Sequence, residues 1–397
     1  MKNTHNDSVS ASHPTLESKR EVAKKLLFVI NEPTCFISHR LPIAIAARDA
    51  GYEIHVATGE PTVLQRIIDE GFSYHPIPLS RSGRHIISEL RSLLAIYRLM
   101  KHIKPDIVHL VTIKPVIYGS IAARLARVPA VVAAVPGLGY AFIDQYLEAK
   151  CLRVIISKLY RHAFRHNNLK VIFQNTDDQD ILLNLKALQK NQAILIQGSG
   201  VDLTHYQYHP EPSESPLIVV MAARLLRDKG VVEYVQAAKL LRSKGISARF
   251  LLAGKVDPGN PSSISEKQLN TWIDNQDIEY LGYRQDTPYL LSQAHLVVLP
   301  SYREGLPRVL SEAAACGRAI VTTDVPGCRA AIMPGKTGLL AKARDVTSLA
   351  DAMHTLLINP TLRNDMGAAG RKFAEREFDI ENIVDEHMQI YQMISDA

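Results

Sequence analysis

Residues 295–328 read HLVVLPSYREGLPRVLSEAAACGRAIVTTDVPGC, and this segment decides which fold the chain adopts. Its apolar run over 296–299 is typical of a short strand that is buried on both faces of a parallel sheet. Proline at the first helical position and glycine just past the last one then predict a helix of about ten residues, from Pro307 to before Gly317. A further strand over 319–322 completes a unit of strand, loop, helix and strand.

Two glutamates mark this unit, Glu304 in the loop before the predicted helix and Glu312 on its second turn. At about 1.5 Å per residue they would lie ~10 Å apart, with the positive end of the helix dipole between them. The apolar positions of the helix form one stripe with Glu312 at its margin, where it can face a cleft. A nucleotide diphospho-sugar has a matching layout, with hydroxyls at both ends and a diphosphate between them. From the spacing alone, the alternative is that both glutamates are solvated surface charges.

The whole string over 303–317, REGLPRVLSEAAACG, resembles the Glu-x7-Glu signature of the retaining glycosyltransferases of family 4, which have the GT-B fold. By that resemblance Glu304 would hold hydroxyls of the transferred sugar, and Glu312 would bind the ribose diol. Main-chain amides near the start of the helix would contact the diphosphate, those of Gly305, Leu306 and Arg308. Segments that follow two other predicted strands would frame the base, namely Gly254-Lys255 and Gly282-Tyr283-Arg284.

Two cations lie on a predicted strand-to-helix loop at 222–230, AARLLRDKG. Arginine offers a fork to phosphate oxygens and lysine a compact charge, so Arg224 and Lys229 could stabilise a departing nucleoside diphosphate. Alone, both could equally be solvated loop charges. The string resembles the Arg-Leu-x-x-x-Lys-Gly motif of the same family, which implies a catalytic role for both, alongside Glu304. No Asp-x-Asp stands at a predicted strand end, so we predict transfer without a metal site and without a cofactor besides the UDP-sugar donor.

Strand and helix signals alternate along the chain, which predicts an α/β protein with parallel sheets. The pattern stops at a Gly/Ser break and a proline-rich run, then begins again at residue 217. We therefore predict the GT-B architecture, two Rossmann-like, doubly wound domains that face each other across a cleft. The predicted divisions are a disordered tail at 1–23, an acceptor-binding domain at 24–198, a nucleotide-sugar-binding domain at 199–376, and a helix at 377–397 that, by the resemblance, returns to the first domain.

The composition excludes several classes of protein. With 46% hydrophobic and 22% charged residues it is that of a soluble globular protein, and the longest apolar stretch, 128–143, is too interrupted to span a membrane. The four cysteines show no metal-ligand spacing, so reduced thiols in a cytosolic protein are expected.

The net charge of +6 is unevenly distributed. Residues 1–199 carry 25 Lys and Arg against 16 Asp and Glu, whereas residues 200–397 carry 21 against 24. The basic half suits an anionic membrane surface or a phosphorylated acceptor, unless its excess is scattered solvated charge. No nucleic-acid partner is expected.

Candidate acceptor residues lie in the first half of the chain. The segments 39–42, 106–109 with Lys114, and 136–140 resemble a subset of the family that acts on undecaprenyl-diphosphate-linked sugars, such as the N-acetylgalactosaminyltransferases that add to bacillosamine. The resemblance places these residues on the acceptor side of the cleft: His39, His109, Lys114, Gly137 and Tyr140. A histidine near a strand end is as often a satisfied structural residue.

The sequence departs from the family at two positions. Pro136 stands where relatives commonly carry histidine, so the sequence identifies no catalytic base there, and Ala330 stands where they usually carry glutamate.

Two basic and apolar stretches, 84–104 and 143–166, could rest on a membrane surface. Either could instead cover the sheet with its apolar face. We predict the covering role for the first stretch, and for the second both interpretations stay open.

These expectations describe a retaining hexosyltransferase that moves a hexose or N-acetylhexosamine from a UDP-sugar to an undecaprenyl-diphosphate-linked saccharide in bacterial polysaccharide or glycan biosynthesis. It would be cytoplasmic and peripheral on the inner face of the cell membrane. One alternative is a GT-B sugar-nucleotide epimerase, against which the Glu-x7-Glu string argues. Another is a non-catalytic nucleotide-sugar-binding subunit, against which the retained donor residues argue.

Overall fold

The computed structural model describes residues 23–59, 62, 64–79, 86–138, 147–213 and 215–396. In them the chain forms two parallel sheets, one of seven strands and one of six. Residues 196–216 join the two sheets, and the predicted domain boundary lies in this segment. The tail predicted over 1–23 falls outside the described residues except for residue 23.

The first domain is built on the seven-stranded sheet. Its strands are β1 (Lys25–Ile30), β2 (Glu53–Thr58), β3 (Ser73–Pro76), β4 (Ile107–Val111), β5 (Ala130–Val135), β6 (Leu169–Phe173) and β7 (Ala193–Leu195). They pair in parallel in the order β3-β2-β1-β4-β5-β6-β7. The helices that follow them are α1 (Pro33–His39), α2 (Leu41–Asp49), α3 (Leu64–Asp69), α4 (Ile86–Ile103), α5 (Ile113–Ala126), α6 (Leu147–Ala163) and α7 (Thr176–Asn184). They cover both faces of the sheet, so the central strands are buried.

The second domain repeats this plan on the six-stranded sheet. Its strands are β8 (Leu217–Ala222), β9 (Ala248–Ala253), β10 (Glu279–Gly282), β11 (Leu296–Leu299), β12 (Ala319–Thr323) and β13 (Gly338–Ala341). The strand order is β10-β9-β8-β11-β12-β13. Its helices are α8 (Val231–Ser243), α9 (Glu266–Asp274), α10 (Thr287–Ser292), α11 (Arg308–Ala315), α12 (Val346–Leu357) and α13 (Pro360–Glu377). The loops after β8 and β11, the two central strands, therefore meet at one edge of the sheet.

The last helix, α14 (Ile380–Ser395), packs on the first domain although it follows the second. Its buried side chains belong to the core that covers one face of the first sheet: Ile383, Ile390, Tyr391 and Ile394. The two connections between the domains lie side by side, since Val201 N–H donates to Phe378 O at 2.7 Å and Ile380 N–H donates to Val201 O at 3.1 Å. The chain thus crosses between the domains twice at one place.

One helical segment of the first domain differs from its prediction. Apolar spacing predicts a single helix over 36–50, but the structure has α1 and α2, which are separated at Arg40 with φ −127° and ψ −15°. Pro42 explains the break, because it has no N–H to donate to the carbonyl four residues earlier, that of Ser38. The Ser38 carbonyl can therefore accept a hydrogen bond from outside the helix.

The strand, helix and strand predicted over 296–322 are found close to their predicted bounds, as β11, α11 and β12. The structure adds α3, α7, α9, α10 and β13, which the sequence did not predict. They are short or polar, so they carry little of the periodicity on which a sequence prediction depends. Among the described residues, none of the helices combines the length and the apolar character needed to cross a bilayer.

Candidate functional site

Glu304 lies in the loop between β11 and α11, in contact with the loop that follows β8. Its Oε1 accepts hydrogen bonds from the Lys229 ammonium and, at 2.6 Å, from Ser301 Oγ. The Glu304 N–H donates to Pro326 O at 3.2 Å, which fixes the loop from its other side. The structure therefore brings together two of the predicted site residues, Lys229 and Glu304, although 75 positions separate them in the sequence.

Helix α11 begins one residue later than predicted and is 8 residues long rather than about ten. Pro307 is its N-cap and not its first residue, with an extended backbone at φ −73° and ψ 117°. Because a proline side chain cannot accept a hydrogen bond, Pro307 does not cap the first N–H groups of the helix. Such an N-terminus attracts anions. Gly317, at φ +73°, follows the helix end as predicted.

Glu312 is buried on α11 between two polar partners. Arg308 Nε lies 2.8 Å from Glu312 Oε1, and the Tyr206 hydroxyl hydrogen-bonds to the same carboxylate. Burial raises the pKa of Glu312, whereas Arg308 and Tyr206 oppose this rise because they stabilise the charged form. Glu312, which was predicted at the margin of the apolar stripe of the helix, is thus a partly desolvated acid that can accept hydrogen bonds from a ligand.

Arg224 and Lys229 contact different acids. Its Nη1 lies 3.1 Å from Asp257 Oδ2, and its side chain is 43% exposed. Arg224 and Lys229 share one loop, but the structure pairs them with different carboxylates. The Arg224 guanidinium remains accessible to solvent.

The residues predicted to frame the base follow β9 and β10. An ideal Cβ on Gly254 would lie 1.9 Å from Ala223 O, so only glycine fits this close approach of two strand ends. Tyr283 is exposed, and Lys255 Nζ lies 5.4 Å from the centre of its ring. Arg284 Nε pairs with Asp286 Oδ1 at 2.7 Å. These side chains offer an aromatic surface and cations beside the loop of Arg224.

Gly305 and Gly137 meet where the two domains touch. An ideal Cβ on Gly305 would lie 1.3 Å from Pro136 O, and one on Gly137 would lie 3.4 Å from Gly305 N. Any side chain at Gly305 would therefore force the domains apart. Leu306, the next residue, is buried in the core of the second domain, and an ideal Cβ on Gly198, in the segment that joins the domains, would lie 3.0 Å from its Cδ2.

Side chains of both domains cross the cleft at this loop, and the sequence predicted none of these contacts. Asn175 Nδ2 donates to Gly305 O at 2.6 Å, and Arg303 pairs with the buried Asp178 of α7. Burial raises the pKa of Asp178, and the charge of Arg303 acts in the opposite direction. The sequence does carry the signature of this helix start, because Asn175 caps α7 and two aspartates follow in its first turn, but it carries no sign of their partners across the cleft.

A further crossing contact reaches the start of α11. Arg308 Nη1 donates to the Ser38 carbonyl, the one that Pro42 cannot engage within the helix. The residue that holds Glu312 thus also touches the first domain.

Two predicted acceptor-side residues lie near the carboxyl end of the first sheet. Lys114, in the first turn of α5, pairs with Glu89 Oε1 at 2.7 Å. His39 ends α1, with Nδ1 2.5 Å from Ser38 Oγ. Burial, followed by the charges of Arg40 and Arg308, lowers the pKa of His39 to about 3, so its imidazole is neutral at neutral pH.

The structure contradicts the prediction that His109 lines the cleft. It lies in the middle of β4 and is fully buried, because its side chain points to the sheet face that α14 covers. Its ring stacks on Phe28 and His387, with centroids 5.1 and 5.7 Å apart, and its Nδ1 lies 2.5 Å from the Tyr391 hydroxyl. His109 is a core residue of the first domain. Tyr140 lies outside the described residues.

The arrangement can bind a ligand that is anionic in its middle and hydroxylated at its ends. Lys229, Arg308 and the N-terminus of α11 supply positive charge in one region. Glu304 and Glu312, on either side of that N-terminus, can accept hydrogen bonds from hydroxyl groups.

Comparison with protein families gives two matches that together cover most of the chain. Residues 207–373 match the model of glycosyl transferases group 1, and residues 25–175 match that of glycosyl transferase 4-like proteins. The two matched regions fall on the second and the first domain respectively.

Two curated relatives are similar along nearly their whole length. The chain is 30% identical over 379 residues to the N,N'-diacetylbacillosaminyl-diphospho-undecaprenol alpha-1,3-N-acetylgalactosaminyltransferase of Campylobacter jejuni, covering 90% of this chain and 98% of that protein. It is 24% identical to the UDP-Gal:alpha-D-GlcNAc-diphosphoundecaprenol alpha-1,3-galactosyltransferase of Escherichia coli, over 86% of this chain and 89% of that one.

Solved structures with the same fold are more distant in sequence. Anabaena HepE in complex with UDP-glucose superposes with a TM-score of 0.73 at 20% identity, covering 94% of this chain and all (100%) of that one. The sucrose-phosphate synthase of Thermosynechococcus elongatus gives a TM-score of 0.77 at 18% identity, over 94% and 99% of the two chains. These matches identify the fold as GT-B.

Proposed function

The chain belongs to the group 1 glycosyl transferases, that is, to glycosyltransferase family 4 with the GT-B fold, and from this premise we propose what it transfers and to what. It moves a hexose or N-acetylhexosamine from a UDP-sugar to a saccharide carried on undecaprenyl diphosphate, with retention of configuration. The product serves the assembly of a bacterial surface polysaccharide or glycan. The names of the Campylobacter and Escherichia relatives support the lipid-linked acceptor, and the latter name supports the UDP-sugar donor.

The observation that carries the proposal is the contact of Lys229 with Glu304 beside the N-terminus of α11. A donor diphosphate placed at this N-terminus would have Lys229 at its oxygens and the hydroxyls of its sugar near Glu304. The ribose would then lie towards Glu312, and the base towards Gly254 and Tyr283. Each of these groups would meet the partner that its chemistry requires.

The bond that breaks joins the anomeric carbon of the sugar to the diphosphate, and negative charge develops on the leaving UDP. Lys229 and Arg224 are fixed cations that can stabilise this charge, as the helix N-terminus can. They take the part that a metal ion plays in other sugar transferases, so we propose a reaction that needs neither metal nor cofactor. Attack by the acceptor hydroxyl on the same face, within an ion pair, would give retention, and the hydroxyl proton would pass to the departing diphosphate.

The acceptor would enter from the first domain, where His39, Lys114 and Gly137 lie near the carboxyl ends of the strands. His39 is neutral at neutral pH, so it can accept a hydrogen bond from a hydroxyl without adding charge. The Lys114 ammonium could contact a phosphate of the lipid carrier, in exchange for Glu89.

The test is UDP release in the presence of EDTA. We expect one UDP-sugar to be consumed slowly alone and much faster when a lipid extract that contains undecaprenyl-diphosphate-linked saccharides is added. Binding of UDP-sugars without turnover under both conditions would favour a non-catalytic subunit instead. Conversion of the free sugar nucleotide to an epimer would favour the epimerase. Loss of activity in EDTA that Mg²⁺ restores would contradict the metal-independent reaction.

We further propose that the first domain rests on an anionic membrane surface, on the cytoplasmic side. Helices α4 and α6 cover the same face of the sheet, and each presents large apolar side chains to solvent. On α4 these are Ile87, Leu90 and Leu94, and on α6 they are Val154, Ile155 and Leu159. Exposed cations flank them on the same two helices: Arg91, Arg98, Lys101, Lys158 and Arg161. Helix α4 thus covers the sheet, as predicted, and also has an exposed apolar edge. Such an edge suits a helix that lies at a membrane interface.

Replacing Leu90 and Ile155 with glutamate should weaken sedimentation with vesicles of phosphatidylethanolamine and phosphatidylglycerol. Burial of one large apolar side chain contributes ~1.5–3 kcal/mol, so each replacement should lower the partition coefficient by about 10- to 100-fold. Ile358→Glu, at an equally exposed isoleucine of the second domain, is the matched control and should bind as the wild type does. Equal binding by all variants, or no binding by the wild type, would contradict the membrane surface.

A further inference from the structure

The loop that carries Glu304 is held by the first domain on both sides of that residue. The preceding residue, Arg303, pairs with Asp178, and the carbonyl of the following residue, Gly305, accepts from Asn175 Nδ2 at 2.6 Å. Asn175 and Asp178 are themselves tied together, since Asp178 N–H donates to Asn175 Oδ1 at 2.8 Å. One helix start of the first domain therefore fixes the backbone on both sides of a donor-site acid.

These contacts exist only while the domains touch. Asp178 is fully buried and the Arg303 side chain is 11% exposed, so both charges have lost most of their contact with water and interact with each other instead. Separating a buried pair leaves both charges in need of water, which makes an intermediate degree of separation unfavourable. The approach of Gly305 to Pro136 O likewise requires full contact between the domains. The loop of Glu304 is thus either held on both sides by Asp178 and Asn175 or released, and we call this pair of contacts the interdomain grip.

The grip does not include the residues that would hold the nucleotide. Arg224, Gly254, Tyr283 and Glu312 belong to the second domain, and the side-chain partners of Arg224 and Glu312 given above belong to it as well. The nucleotide part of a donor can therefore bind without the grip. Asn175 and Asp178 hold only the loop of Glu304, at the sugar end, and the other crossing contact, from Arg308 to the Ser38 carbonyl, does not involve them.

We propose that Asp178 and Asn175 are positioning residues, which set Glu304 for reaction only when the first domain is docked on the second. This inference rests on the proposed function and adds to it a residue-level link between domain closure and the sugar site. Neither residue contacts the reacting atoms. They act through Arg303 and Gly305, so their loss should lower turnover and spare nucleotide binding.

The central test compares Asp178→Asn with Asp177→Asn. The neighbouring Asp177 also pairs across the cleft, with Arg329 at 3.3 Å, but on the surface, where such pairs contribute little. A small misplacement of a reacting group can cost about 100-fold in rate, so we expect kcat of Asp178→Asn to fall by that order. Its dissociation constant for UDP, measured by calorimetry, should stay at the wild-type value. Asp177→Asn should match the wild type in both.

Four further variants keep the test independent of folding. Asn175→Ser retains a helix-capping oxygen but loses the amide donor to Gly305, and it should also lower kcat without changing UDP affinity. Arg303→Lys, which keeps the charge, should be more active than Arg303→Met. The loss in the double variant Asp178→Asn, Arg303→Met should be smaller than the two single losses combined, because both remove one contact. Wild-type kcat in Asp178→Asn, or a parallel loss of UDP affinity and thermal stability, would overturn the proposal.

A structural readout separates this inference from the proposed function. Small-angle X-ray scattering of the full chain should give a larger radius of gyration for Asp178→Asn than for the wild type and Asp177→Asn. If the wild type transfers no sugar, the proposed function fails, and the scattering result still decides whether the pair holds the domains together. Identical scattering curves for the three proteins would contradict the proposal that the Asp178–Arg303 pair holds the domains together.

Discussion

Glu304→Ala is expected to lower sugar transfer by about 100-fold or more while UDP still binds. A hydrogen bond to a charged group contributes ~1.5–3 kcal/mol, and the carboxylate can hold two sugar hydroxyls. Two such bonds, made as the sugar reaches its reactive position, correspond to at least that loss in kcat/KM. The variant also leaves Lys229 without the carboxylate that fixes its ammonium. Steady-state UDP release with the lipid-linked acceptor measures the effect, and calorimetry with UDP measures retained binding.

Glu312→Ala is the matched comparison, because it removes an acid at the other end of the same helix start. Its partners, Arg308 and Tyr206, place it at the expected ribose. We expect this variant to raise KM for the UDP-sugar and weaken UDP binding, with a smaller change in kcat. Full activity in Glu304→Ala would overturn the sugar-binding role, and an unchanged UDP affinity in Glu312→Ala would overturn the ribose role.

Lys229→Met should lower kcat by about 100- to 1,000-fold, the range found when one preorganised group that stabilises developing charge is removed. Methionine keeps the length of the side chain but not its charge, so the leaving diphosphate would lose its nearest cation. We expect a modest rise in the UDP dissociation constant, because the charge on the phosphates is greatest as the bond breaks. Stopped-assay measurement of UDP release at saturating donor gives kcat directly.

Lys239→Met is the control for this charge removal. Lys239 lies on α8, which follows the loop of Lys229, and pairs with Asp277 at 3.2 Å. It should retain wild-type activity. If Lys229→Met lost only donor affinity, with kcat intact, Lys229 would be a ground-state phosphate ligand and not a stabiliser of the leaving group.

The sequence was most informative where the controlling interaction is local. Helix α11, its terminating Gly317 and the loop of Arg224 and Lys229 follow from turn and capping residues a few positions apart. The break at Arg40 was equally local, since Pro42 removes one N–H, but the apolar spacing of the segment outweighed it in the prediction. The family resemblance predicted that Lys229 and Glu304 serve one donor site, but their direct contact was not predicted.

Contacts that depend on docking could not be predicted in this way. Arg303 and Asp178 are 125 positions apart in different domains, and nothing in either neighbourhood indicates the other. His109 was misplaced for a related reason. Its burial comes from α14, 282 positions away at Tyr391, which covers a strand face that would otherwise be open. Long-range packing decided both cases.

The return of α14 to the first domain has a consequence for how the protein is made. Synthesis proceeds from the N-terminus, and domains generally fold as units when their residues have left the ribosome. Here the segment that seals the first core is translated only after the second domain, so the second domain has all its strands before the first can close. Until Ile390, Tyr391 and Ile394 emerge, the part of the first sheet's apolar face that α14 covers stays exposed. A nascent chain stalled near residue 376 would therefore be a substrate for chaperones, even though all strands of its second domain are already translated.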